Sequence, residues 1–250
     1  MTSSPVIPPP PPAPPPPTGS ATFSSAISDA HNYISWIIDE FEPFLSSPIL
    51  EIGVGHGSFF QRLRHHGHYI GVDLDAEAVA ESRRRYPDAD FRQADILSET
   101  FTADPVLAGA GAVVCANVLE HIEDDRTAVA NLLTVLAPGG HLLLFVPALP
   151  ALYSDLDRLA GHHRRYTKTR LQKILAGLPG EIVRLDYFNS IGGLGWWVNS
   201  LFTHTSLGSQ GVNAQISLFD RYVLPVSRLI NPLTRGWFGQ SLVCVVRRTK

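Results

Sequence analysis

The stretch Glu51-Ile52-Gly53-Val54-Gly55-His56-Gly57 constrains this chain more than any other. It follows the apolar run Pro48-Ile49-Leu50 and precedes a helical pattern from Ser58 to His66. Glycines at alternate positions let a backbone bend through φ > 0 and approach a ligand closely. A helix behind such a turn offers unpaired N–H groups at its N-terminus. The next apolar run, His68-Tyr69-Ile70-Gly71-Val72, ends in Asp73, about 20 residues after the first glycine. A doubly wound fold places a ribose-binding carboxylate there. A dinucleotide fingerprint, G-x-G-x-x-G/A, would want a small third residue where Ser58 stands, so that fit is imperfect. An ordinary glycine-rich turn is the plain alternative.

The rest of the chain agrees with an α/β rhythm. Strands are expected at Ile49 to Gly53, Tyr69 to Asp73, Ala89 to Gln93, Ala112 to Ala116 and His141 to Val146. Helices are expected at Ala76 to Tyr86, capped by Asp75, and at Arg126 to Leu136, closed by Pro138-Gly139-Gly140. Thr100 to Gly111 reads as a loop. The near-continuous apolar run 112–116 suits a strand buried on both faces of a parallel sheet. After Pro147 the rhythm breaks: 148–165 is irregular, Thr167 caps a helix to Leu175, and Glu181 to Tyr187 reads as a strand. Leu218 to Ile230 is apolar and basic, interrupted by Pro225, and Ser241 to Arg247 is a final strand. The last two strands suit an antiparallel hairpin at the sheet edge. Ser24 to Leu45 reads as a helix over the mouth of the first strand, ended by Pro43, with His31, Asn32 and Tyr33 as ligand contacts or ordinary helix positions.

Composition bounds the answer. With 250 residues, 44% hydrophobic, the chain can bury one large core. Its formal net charge of −3 gives no electrostatic reason to expect nucleic acid as partner. Pro5 to Pro17 is nearly all proline, which imposes an extended polyproline helix. The expected organisation is a disordered tail over 1–22 and one domain over 23–250, with cap elements at about 23–45 and 148–235. An SH3-like docking peptide is a competing reading of the tail. The N-terminus lacks the basic and apolar regions of a signal peptide. Cys115 and Cys244 sit in apolar runs and read as buried thiols, so the expected location is cytoplasmic. No transmembrane helix is expected. His56, His65, His66 and His68 lack metal-site spacing, and no metal is expected.

Several stretches then fall in a recognisable order. Asp73 follows strand two and Ala94-Asp95-Ile96 follows strand three. Asn117-Val118-Leu119-Glu120-His121 follows strand four, and Leu136-Ala137-Pro138-Gly139-Gly140 precedes strand five. With E-x-G-x-G-x-G, these resemble the motifs of class I S-adenosylmethionine (SAM)-dependent methyltransferases over roughly Leu50 to Val146. The resemblance implies a Rossmann-like, mostly parallel seven-stranded sheet with an antiparallel last strand and a helical insertion. It implies SAM as cofactor, held by Glu51, Gly53, Gly55, Gly57, Asp73, Leu74, Asp95, Ile96 and Asn117. Singly, Asp73 and Asp95 read equally well as loop carboxylates or caps. SAM carries a sulfonium and an ammonium, and carboxylates suit it where a pyrophosphate would want cations.

The acceptor side is less legible. Tyr153-x-x-x-Asp157 and Gly161-His162-His163-Arg164-Arg165-Tyr166-Thr167 resemble a subgroup acting on small molecules in bacterial biosynthesis. Candidate catalytic residues are His121, Tyr153, His162 and His163. Candidate acceptor contacts are His121, Tyr153, Arg165, Tyr166, Trp196 and Trp197, for an acidic or apolar small molecule. The competing reading pairs Arg165 with Asp155 or Asp157 and leaves the histidines solvated. The atom methylated and the oligomeric state, a homodimer included, stay open. So do three rivals: an NAD-dependent oxidoreductase, a catalytically silent partner-binding protein, and methyl transfer to a lipid-like acceptor.

Overall fold

A computed structural model describes residues 30–200 and 218–249. The proline-rich tail, the first residues of the helix expected from Ser24, and the segment between Ser200 and Leu218 lie outside them. Seven strands form one sheet in the order β3-β2-β1-β4-β5-β7-β6. They are β1 (Ile49–Ile52), β2 (Tyr69–Asp73), β3 (Asp90–Gln93), β4 (Ala110–Ala116), β5 (Leu136–Pro147), β6 (Gly180–Phe188) and β7 (Ser241–Arg248). β1 to β5 pair in parallel, and β7 runs antiparallel to both of its neighbours. The strand order reverses between β1 and β4, where an open α/β sheet leaves a crevice at its carboxyl edge.

Alternation along the strands separates two apolar layers, because successive side chains point to opposite faces. Val113, Cys115, Leu142, Leu144, Leu242 and Cys244 join the core on one face. There they meet α5 (Asp125–Val135) through Val129 and Leu132, and α7 (Lys168–Leu175) through Leu171. Ala112, Val114, Leu143, Phe145, Val243 and Val245 join the other. There they meet α1 (His31–Phe41) through Trp36, Ile37, Ile38 and Phe41. Each fully buried Leu, Ile or Phe contributes about 1.5–3 kcal/mol. Both cysteines are buried and free.

Differences from the sequence reading are local. The helix expected from Ser58 shrinks to α2 (Phe60–Leu63) and a 3-10 turn, because turn residues occupy 55–59. α3 (Ala76–Arg85) starts at Asp75, whose side chain accepts from the Glu77 N–H. The expected loop after Thr100 holds α4 (Glu99–Ala103), capped by Ser98, and the start of β4. Pro138-Gly139-Gly140 continues β5 past a β-bulge opposite Ala110/Ala112, where it was expected only to close a helix. Two short helical turns, one of them α6 (Asp155–Leu159), order the irregular stretch. Pro225 falls at the start of α9 (Leu224–Thr234), directly after the π-helical turn Phe219–Val223. β6 and β7 do pair antiparallel, but β7 inserts between β5 and β6.

α1 lies across the sheet face, where its sequence suggested only the mouth of β1. Its cap Ala30 has no side-chain acceptor. Asp220, from the π-helical turn Phe219–Val223, supplies one. Its carboxylate accepts from the N–H groups of Asn32 (3.3 Å) and Tyr33 (2.8 Å). Replacing Asp220 with alanine removes these bonds from a buried helix end. It should destabilise the fold by about 1–3 kcal/mol, read as a lower urea midpoint at unchanged slope. An unmoved midpoint would show that this cap contributes nothing.

Candidate active site

The glycine loop folds back from β1 onto its neighbours. Gly53, Gly55 and Gly57 have φ of 75°, 49° and 71°, a region that side chains disfavour. The Gly53 N–H donates to the Val72 carbonyl (2.7 Å), which anchors the loop on β2. A Cβ on Gly53 would lie 2.3 Å from Val118 Cγ2, so the loops after β1 and β4 touch there. Asp73 closes the loop from β2. One carboxylate oxygen accepts from the Gly55 N–H and the other from the Asp75 N–H, both at 2.9 Å. Leu74, next in sequence, is 63% exposed.

The structure places Asp95 and Ile96 directly after β3. Asp95 Oδ1 accepts from the Leu97 N–H (2.9 Å), and its side chain is exposed. Ile96 is buried, and its carbonyl accepts from Asn131 (2.7 Å). Asn117 follows β4 with φ 52°, and its N–H donates to the Phe145 carbonyl (2.8 Å). A non-glycine residue held in that region stores strain of the kind found at functional sites. The residues from Glu51 to Asn117 thus converge on the carboxyl ends of β1, β2, β3 and β4.

The acceptor-side residues form a tighter network than their sequence suggested. Glu120 and His121 lie on a 3-10 turn after β4. The loop after α6 docks on it: the His163 N–H donates to the Glu120 carbonyl (2.8 Å) and Arg164 to the Ile122 carbonyl (2.8 Å). His162 Nδ1 lies 2.9 Å from Asp157, and its ring meets His121 edge to face at 4.8 Å. Burial lowers His121 to about 4, so its ring is neutral at pH 7. Tyr153 is 39% exposed, and its hydroxyl donates to the His162 carbonyl (2.7 Å).

Three further candidates are engaged within the fold or exposed. Arg165 is buried, with Nε on Asp157 (2.8 Å) and Nη1 on the Ala148 carbonyl (3.2 Å), so it ties the loop down and offers no open guanidinium. Tyr166 is fully buried, and its hydroxyl donates to the Leu119 carbonyl (3.0 Å), so it faces the core. His163 points to solvent. Of the two tryptophans on α8 (Ser190–Ser200), Trp196 donates to the Leu152 carbonyl and stacks on Arg165. Trp197 is 52% exposed. Glu120 was singled out only as part of a motif. Its deep burial is invisible in sequence, because a helical turn after a strand can face either way.

A family model described as a methyltransferase domain matches residues 50–144, the span from β1 into β5. An uncharacterized methyltransferase of Mycobacterium tuberculosis is 33% identical over 134 residues, covering 52% of this chain and 66% of that protein. The span 50–144 is a methyltransferase domain of the class I SAM-dependent kind. A malonyl-[acyl-carrier protein] O-methyltransferase of Enterobacter lignolyticus is 29% identical over 141 residues, covering 53% of this chain and 54% of that protein. The N-methyltransferase NodS of Bradyrhizobium japonicum, solved with S-adenosyl-L-homocysteine, shares the fold at TM-score 0.52 and 18% identity. That similarity covers 91% of this chain and 89% of NodS. The chain therefore spans about two thirds or less of its curated relatives' length.

Within the matched span, Glu51 lies in β1. It is buried, and Tyr69 donates to it at 2.5 Å. Burial pushes its carboxyl up to about 8, with the Tyr69 bond opposing and the Asp73 charge adding. At neutral pH it acts through hydrogen bonds more than through charge. Two outcomes follow. Gly53→Ala should destabilise the protein by more than about 1 kcal/mol, because both φ and Val118 oppose a methyl there; a thermal melt reads this. The folded Glu51 keeps its proton to about pH 8, whereas the unfolded one loses it near 4.3. The unfolded state then binds fewer protons in that window, and this group's contribution to stability falls as pH rises. Urea unfolding should therefore show Glu51→Gln gaining on the wild type between pH 5 and 8; a constant difference would refute the assignment.

Proposed function

We propose that this protein transfers the SAM methyl group to a small-molecule acceptor at the carboxyl ends of β4 and β5. The observation that carries the proposal is the Asp73 carboxylate, bonded between the Gly55 and Asp75 N–H groups beside the glycine turn. Those two bonds fix the carboxylate and leave lone pairs for ribose hydroxyls. Exposed Leu74 supplies an apolar surface for the adenine, Asp95 an acceptor for its amine, and Ile96 a backbone N–H. The glycine cradle admits the methionine moiety, with Asn117 beside it and Glu51 supporting from below.

The donor set suits this cofactor. Glu51 to Gly57 contains no Lys or Arg to match a pyrophosphate. SAM supplies an electrophilic methyl group, and the chain's residues bind, orient and exclude water for an in-line displacement. On the acceptor side, His121 and Tyr153 line the approach, with His162 behind them and Trp196 as an apolar wall. His121, neutral at pH 7, accepts hydrogen bonds there and does not repel a cation. A single domain over 23–250, capped by 23–45 and 148–235, and a cytoplasmic location belong to the same proposal. The free buried thiols support that location.

Among the described residues no helix is long and apolar enough to cross a membrane. Calorimetry on the full chain tests the reading. SAM and S-adenosylhomocysteine should bind, and NAD should not. Asp73→Ala should weaken SAM by at least about tenfold, the worth of charge-assisted bonds. Wild-type affinity in that variant, or a preference for NAD, would reject the reading.

A further inference from the structure

The turn after β4 and the loop after α6 bring together Glu120, His121 and His162. One ligand atom from each lies within 4.8 Å of the others. Glu120 is 0% exposed, yet among the described residues neither carboxylate oxygen has a hydrogen-bond partner. A buried carboxylate in that condition is expensive unless something cationic meets it. Its nearest histidine nitrogen, His162 Nε2, is 3.9 Å away, too far for a hydrogen bond. The guanidinium of Arg165 is already committed to Asp157 and Ala148.

We propose that Glu120, His121 and His162 form a binding site for a divalent cation of the zinc class. Two imidazoles and one carboxylate are a ligand set for such ions, with a fourth position left for water or an acceptor oxygen. The surrounding groups match the demands of a metal site. Asp157 holds His162 Nδ1 at 2.9 Å, which leaves Nε2 as the ligand and fixes the ring. The Gly161 backbone carbonyl accepts from His121 and orients its ring. Arg165 neutralises Asp157, so the cation would answer Glu120. The His163–Glu120 and Arg164–Ile122 bonds hold the two segments together without the ion. Tetrahedral bonds of about 2.1 Å set ligand atoms about 3.4 Å apart, so side-chain rotations of about 1 Å close the site.

The site shares His121 and His162 with the acceptor side of the proposed transferase, but cation binding there does not require methyl transfer. Full-length protein, purified without a histidine tag, would be stripped with chelator and titrated with Zn²⁺, and separately with Co²⁺. We expect one ion per chain by elemental mass spectrometry, and visible Co²⁺ absorption of a low-coordinate nitrogen–oxygen site. Glu120→Gln and His162→Gln should each weaken binding at least tenfold, whereas His31→Gln, on exposed α1 surface, should not. Circular dichroism and melting of the stripped variants confirm that they fold. Should either not fold, His121→Gln and metal-bound melting of the wild type decide the matter. No stoichiometric Zn²⁺ in the wild type, or binding unchanged in folded Glu120→Gln and His162→Gln, would overturn the proposal and leave a metal-free ionic network. SAM calorimetry on the same samples separates failure here from failure of the transferase reading.

Discussion

Burial of the central sheet on both faces dictates where this protein can do chemistry. The backbone groups of β1, β4 and β5 satisfy one another, and their side chains enter one of two apolar layers. Polar groups at mid-strand would be stranded, so ligand-binding groups collect where the strands end. Asp73, Asp95, Asn117 and Glu120 all occupy such ends. The glycines of the first turn let these ends approach one another: Gly53 admits Val118 to a distance no side chain would tolerate.

Polar order then spreads outward from the strand ends. Asp73 organises the first turn by accepting from the backbone on either side. Asp157 does the same on the acceptor side, with Ser154 forming a capping box, and His162 and Arg165 sharing one oxygen. Asp125 gathers Arg164, Arg170 and the Tyr166 hydroxyl below them. The basic run 162–170 is thereby largely neutralised within the fold. Arg165, offered by the sequence as a contact for an acidic acceptor, belongs instead to the internal fastening of a loop.

The strand–loop–helix rhythm and the order of the acidic residues were legible because they are local. An apolar run buried on both faces, a glycine triplet and a capping aspartate each declare themselves within a few residues. Asp75 as the cap of α3 and Thr167 as the cap of α7 were readable for that reason. The bulge that lengthens β5 was not, since Pro138-Gly139-Gly140 satisfies a turn and a strand edge equally well.

The sequence by itself determined the α/β class, the strands that carry the candidate cofactor residues, and which residues could be ligands. Tertiary structure alone decided which charges remain available. Asp220 caps a helix 187 positions upstream. Arg165 and Tyr166 turn inward, burial raises Glu51, and Glu120 meets two histidines with no hydrogen-bond partner among the described residues. The reason is physical: a local pattern specifies backbone geometry, whereas the cost of a buried charge depends on groups that only the folded chain brings within a few ångströms.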